Sequence, residues 1–177
     1  MRPSLVILVA VCACTSGGTT PGTRTPRAET IRSEGLGSLT ITPVTDASSH
    51  LLTAAVDDAW IEMADVYDSL AIPKALIDPQ THTISNQGQK IRQRLGRTPL
   101  SRFIDCGNTQ IGPNADSYEV FLTVTTQLTA AGTGSKLSTT VEAVARPLAF
   151  NQTYSRCASK GVLETRIADA LKARLPQ

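Results

Sequence analysis

Apolar and polar positions alternate over two long runs in the second half of the chain and recur every three or four residues in two other stretches, the marks of strands and helices respectively. Tyr118, Val120, Leu122 and Val124 form the first run; Leu137, Thr139, Val141, Ala143 and Ala145 form the second, set against Ser138, Thr140, Glu142 and Arg146. Each predicts a strand with one buried face. Residues 130–136, Ala-Ala-Gly-Thr-Gly-Ser-Lys, predict the hairpin loop between them. A helical stripe runs through Leu52, Val56, Ala59, Trp60, Met63, Tyr67 and Leu70, predicting a helix from about Ser49 to Leu70. Asp46, Ser48 or Ser49 would cap its start, and Pro73 closes it. A second helix is predicted at the end of the chain. Gly161 and Glu164 stand at its N-cap and N3 positions, followed by Val162, Leu163, Ile167, Leu171 and Leu175.

Between these elements the pattern is weaker. Leu39 and Ile41, with nearby Val44, alternate against Thr40 and Thr42, predicting a short first strand that Pro43 ends. Residues 74–96 mix strand formers with Asp78-Pro79 and Asn86-Gln87-Gly88 turn signals, which reads as a hairpin, with Ser101–Cys106 as the last part of its second strand. The order is strand, helix, several antiparallel strands, helix. It predicts an α+β fold: a single antiparallel sheet with a long helix from the N-terminal half and a C-terminal helix on one face. This order, with Trp60 in an apolar helix followed by Ile72-Pro73 and a turn-rich strand, resembles the helix-grip arrangement. That arrangement also occurs in lipoproteins of the outer-membrane protein assembly machinery.

The N-terminus has a different character. Arg2, an apolar core from Leu5 to Val11 and small residues after it make the three parts of an export signal. The core is too short to span a bilayer, which takes roughly 20 residues. Val11-Cys12-Ala13-Cys14 resembles the bacterial lipobox, in which an aliphatic residue and two small ones precede an obligatory cysteine and a polar linker. The resemblance implies loss of residues 1–13 and a diacylglyceryl thioether on Cys14, a palmitate-type anchor worth about 0.8 kcal/mol per buried CH₂. Cys12 fits less well, because it would put the branched Val11 beside the cut. Thr15, not Asp, follows Cys14, which in a diderm source implies the outer membrane. Residues 14–37 read as lipidated cysteine and flexible linker, with no apolar side chain fit for a core from Thr15 to Arg27. About 20 such residues reach on the order of 25 Å. Residues 38–177 then form a single domain.

Export leaves Cys106 and Cys157 as an even pair in an oxidising compartment, which reads as one disulfide. Closing a loop of that length constrains the unfolded chain by about 4 kcal/mol on the entropic account. Neither cysteine has a partner at metal-ligand spacing, and no cofactor is expected. Of 17 basic side chains only Arg2 leaves with the signal, so the mature chain nearly balances its 15 acids, and aromatic residues are 4% of the whole. That excludes a nucleic-acid binder working by charge and stacking.

Lys90, Arg92 and Arg94 fall at alternate positions opposite Ile91 and Leu95, three cations in a row on one face of a strand. They are the candidates for contact with an anion or a lipid headgroup surface. The same pattern serves a solvated face that resists edge-to-edge aggregation. Asp58, Glu62 and Asp65 share one side of the predicted helix, but no calcium-loop motif accompanies them. His50 and His82 belong to no catalytic motif, and no nucleophile-elbow or phosphate-loop pattern occurs. The expectation is a membrane-anchored, non-catalytic interaction or envelope-assembly module in the periplasm or at the cell surface. Its partners would be the membrane, through the lipid, and an envelope protein. The alternative is a binder of a small apolar ligand or lipid held between helix and sheet, and an unrecognised hydrolase is a third reading.

Overall fold

The computed structural model describes residues 47–148 and 153–176, and the backbone of residues 29–32 and 38–41. The signal segment, Cys14 and the linker up to residue 28 lie outside the described residues. In chain order the elements are β1 (Glu29–Arg32), β2 (Ser38–Ile41), β3 (Ser48–Leu52), α1 (Val56–Ser69), β4 (Leu76–Asp78), β5 (Thr83–Ser85) and β6 (Gln89–Arg92). Then come β7 (Arg94–Leu95), β8 (Thr98–Pro99), a 3-10 turn at Leu100–Arg102, β9 (Ile104–Asp105), β10 (Asn108–Thr109), β11 (Gly112–Pro113) and α2 (Asn114–Ser117). The chain ends with β12 (Glu119–Ala131), β13 (Gly134–Arg146), β14 (Ser155–Ser159) and α3 (Val162–Lys172).

The fold is built on the β12–β13 hairpin, paired without a break from Glu119↔Arg146 to Ala131↔Gly134. β6 and β5 pair along the other edge of β12, and β4 pairs with β5. β14 and β3 share the other edge of β13, and β9 pairs with β14. These eight strands make one antiparallel sheet; β1–β2, β7–β8 and β10–β11 are separate two-stranded pairs. The period-2 alternation sends Val120, Leu122, Val124 and Leu128 of β12 and Leu137, Val141, Ala143 and Ala145 of β13 to one face, where all are buried. Both long helices cover that face. α1 contributes Ala59, Met63, Val66 and Tyr67, and α3 contributes Leu163, Ile167, Ala168 and Leu171. Burying one such Leu or Ile completely stabilises the fold by roughly 1.5–3 kcal/mol, so this one layer carries most of the stability. The buried Tyr67 hydroxyl is satisfied within it, 2.9 Å from Thr126 Oγ1 and 3.2 Å from the Ile84 carbonyl oxygen.

Where the edge of the sheet passes from β5 to β6, a side chain takes the place of backbone. The Asn86 N–H donates to the Val124 carbonyl, and Asn86 Oδ1 accepts the Val124 N–H at 2.7 Å. Gln87 and Gly88, both at positive φ, let the chain step out and return. At the opposite end of the hairpin, a Cβ on Gly134 would collide with the Leu52 carbonyl, so glycine is needed where β3 crosses close to β13.

The expected α+β class, a mostly antiparallel sheet with a few helices, is what the chain forms. Several boundaries differ. The first helix starts at Val56 with Ala55 as its cap, not near Ser49, and no side chain caps it. Ser48–Leu52 is instead a strand on β13, in register from Ser48↔Thr139 to Leu52↔Ser135. Leu52 is buried as expected, but from a strand; its spacing of four from Val56 imitates a helical stripe. Of the expected caps, Ser48 and Ser49 are strand residues and Asp46 lies outside the described residues. Residues 74–96 do contain a hairpin, β4–β5, whose turn Asp78 closes by accepting from the Gln80 N–H and the Thr81 hydroxyl. Ile104–Asp105 is not part of it: that segment pairs with β14, a strand the sequence pattern did not predict. β1 falls inside the stretch expected to be linker and pairs with β2.

Cys106 and Cys157 form the expected disulfide, with Cα atoms 4.3 Å apart. The bond joins β9 to β14 just before the chain enters α3.

Candidate functional site

The same alternation that buries one face of the hairpin turns Glu119 and Phe121 of β12, and Val144 and Arg146 of β13, to the face without helices. Register then fixes their neighbours. On β6, Lys90 stands opposite Phe121 and Arg92 opposite Glu119. On β14, Arg156 stands opposite Val144. Lys90, Arg92, Arg146 and Arg156 thus gather where β12 begins and β13 ends, with Tyr154 beside them.

Glu119 is the centre of this group. Its side chain is only 6% exposed, because the cations and Tyr154 close over it. Arg146 donates from Nε at 3.2 Å and Nη2 at 3.0 Å to Oε1, and the Tyr154 hydroxyl donates to the same oxygen at 2.6 Å. Lys90 pairs with Oε2, and Arg92 Nη2 lies 3.9 Å from it. A nearly buried carboxylate is tolerable only when paired and hydrogen-bonded in this way. The Lys90 bond first, then those from Tyr154 and Arg146, hold the Glu119 carboxyl down to about 2 against the opposing effect of desolvation. The hydrogen bond to Glu119 pushes the Tyr154 phenol up.

Stacking fixes the rest. The Arg146 guanidinium lies 4.6 Å from the centroid of the Tyr154 ring, and that ring meets Phe121 edge to face at 5.4 Å. Three cations therefore surround one carboxylate, with Arg156 beside them on β14, and they stay partly in water: Lys90 and Arg92 are 46% and 61% exposed. Glu142, exposed and opposite Thr123, bounds the patch toward the middle of the sheet. Leu148, 58% exposed just beyond β13, and Tyr154 give the end of the sheet an apolar rim.

Of the three cations marked in the sequence, the structure brings Lys90 and Arg92 to this site and not Arg94. Arg94 begins β7, where its guanidinium donates to the Arg97 carbonyl at 3.2 Å. Glu119, Arg146, Tyr154 and Arg156 were missed. The first two were within reach, since a two-residue hairpin turn at Gly132-Thr133 sets Glu119 opposite Arg146. Arg156 sits on the unforeseen β14 and Tyr154 immediately before it.

The other candidates are dispersed. Glu62 and Asp65 face Arg174 at 3.6 and 3.9 Å, and Asp68 pairs with Lys74. Among the described residues no group of three His, Cys, Asp or Glu side chains could hold a metal ion. His50 Nε2 lies 3.1 Å from Ser48 Oγ, and His82 packs against Trp60 with Asp57 at 3.3 Å. Two surface hollows flank α3. One, of about 440 Å³, is lined by Ser48, Lys160, Gly161, Val162, Thr165 and Arg166. The other, of about 260 Å³, lies between the end of β3 and the end of α3, lined by Leu51, Leu52, Thr53, Lys172, Leu175 and Pro176. Neither lies between α1 and the sheet. Among the described residues no helix is long and apolar enough to cross a membrane. No protein-family model and no curated protein sequence matches the chain.

Proposed function

We propose that the protein is a bacterial lipoprotein, anchored through acylated Cys14 after loss of residues 1–13, in the outer membrane if its source is diderm. It works as a non-catalytic interaction or assembly module of the cell envelope, and the helix-free sheet face around Glu119 is its contact surface. The observation that carries this is the surplus of ordered, half-exposed cations: a carboxylate that needs one or two partners has three around it, with Arg156 beside them. The disulfide fits an exported chain.

On this reading α1 lies across the sheet in a helix-grip-like way without gripping a ligand. Met63 and Tyr67 from the helix and Leu122, Val124 and Leu137 from the sheet belong to one continuous core, which favours surface contact over an apolar ligand between the layers.

Two experiments test the proposal. Labelling with a clickable fatty acid in a bacterial host should persist in Cys12→Ser and disappear in Cys14→Ser; label retained in both would overturn the anchor. Crosslinking in the native membrane should then yield adducts that a Lys90→Glu, Arg92→Glu variant loses and an Arg94→Glu variant keeps. Turnover of a small substrate by the purified protein, with no adduct recovered, would overturn the binding-module reading.

A further inference from the structure

The geometry points to anionic phospholipid headgroups as what this sheet end docks on. The inference rests on the helix-free face being a contact surface, and it names the partner. Three features select a bilayer surface. The first is charge: Lys90, Arg92, Arg146 and Arg156 outnumber the one carboxylate among them, so the patch keeps a positive surplus after Glu119 is satisfied. The second is shape. The four cations come from three strands of one sheet, β6, β13 and β14, and stand on one face of it, so many phosphates can be met across a plane.

The third is the rim. Leu148 is 58% exposed and Tyr154 38% exposed at the same end of the sheet, an aliphatic and an amphipathic aromatic side chain next to cations. That combination suits the boundary between headgroups and acyl chains, where an aromatic ring keeps its polar tip in the wet layer.

Glu119 then acts as an organiser: it gathers side chains from β6 and β13, and Tyr154, before any lipid arrives, so little rotamer freedom is lost on docking. Weak docking suffices on a tether, because the anchor holds the domain at high effective concentration beside the bilayer.

The test uses the whole chain as purified from the host membrane, reconstituted into vesicles of phosphatidylcholine alone or with about one-third phosphatidylglycerol, in about 0.1 M salt, where charges act over about 10 Å. The chain has one tryptophan, Trp60 on the helix α1, which serves as an internal reference. In a Leu148→Trp variant, the new emission should be quenched by brominated acyl chains in the anionic vesicles and not in the neutral ones. Raising salt to about 1 M should abolish the difference. Each of Lys90→Gln, Arg92→Gln and Arg156→Gln should lower the docked-to-undocked ratio about 5-fold, the factor for one basic group at an anionic surface. Equal quenching in both vesicle types, or quenching indifferent to the three substitutions, would overturn lipid docking. In that case protein adducts in the native membrane that depend on Lys90 and Arg92 would leave the contact surface standing with a protein as its partner. The absence of such adducts would remove both.

Discussion

The two faces of one hairpin obey the same alternation and do opposite things. On the helix side, Val120, Leu122 and Val124 disappear beneath α1 and α3; on the other, Phe121 and Thr123 stay half-buried, and Glu119 is shut in by cations and Tyr154 instead of by a helix. The covered face is held by area, which is insensitive to which apolar residue supplies it. The open face is mostly threonine and serine until its end, where geometry matters: Arg146, Tyr154 and Phe121 stack in sequence, and Glu119 is reached from β6, from β13 and by Tyr154 just before β14. Stability resides in the first and specificity in the second, so a one-residue shift along β12 changes the kind of damage a substitution does.

The strongest way to break the comparison is to put one charge on each face. Leu122→Asp buries an unpaired carboxylate and should cost about 5 kcal/mol or more, enough to abolish folding of a domain of ordinary stability. Thr123→Lys, its neighbour, places a charge opposite Glu142 on the open face and should change stability by less than about 1 kcal/mol. Urea unfolding of both checks this, and equal losses would contradict the assignment of faces.

The next effect concerns the edge they share. Removing the disulfide with Cys106→Ser and Cys157→Ser should cost about 4 kcal/mol through the freed unfolded chain. Because the bond ties β9 to β14, the loss should be accompanied by faster amide exchange in β14 and at the start of α3, with β12 protected longest.

Smaller, and sharper, is the acid limb of stability. The Glu119 carboxyl sits at about 2 in the folded protein against an ordinary 4.5, so it binds fewer protons folded than unfolded. Its contribution is complete above the ordinary value and falls away as pH drops from about 4.5 through about 2. Glu119→Gln should flatten that part of the urea midpoint against pH profile. An unchanged profile would mean that other carboxylates dominate acid unfolding.

What the sequence revealed divides along physical lines. The β12–β13 hairpin, α3 and the cysteine pair were legible because each depends on a strong local or compositional signal: alternation, a cap with an apolar stripe, and parity. β3 was hidden because Leu52 and Val56 share helical spacing, and only pairing with Ser135–Thr139, more than eighty residues on, decides for a strand. β14 was hidden because Ser155–Ser159 does not alternate cleanly; its strand exists through β13 and β9 on either side. The site inherits this division. Lys90 and Arg92 were visible as a periodic run, whereas Arg146, Tyr154 and Arg156 join them only through register.

The central claim is that the open face, and not the helix layer, is what the protein presents to its surroundings. Both carry exposed positions suited to a photo-crosslinking residue: Arg156 on the open face and Ile61, 73% exposed, on α1. With the crosslinker at each position in turn and the whole chain in its native membrane, adducts are expected from position 156 and not from 61. Adducts from 61 with none from 156 would contradict the claim.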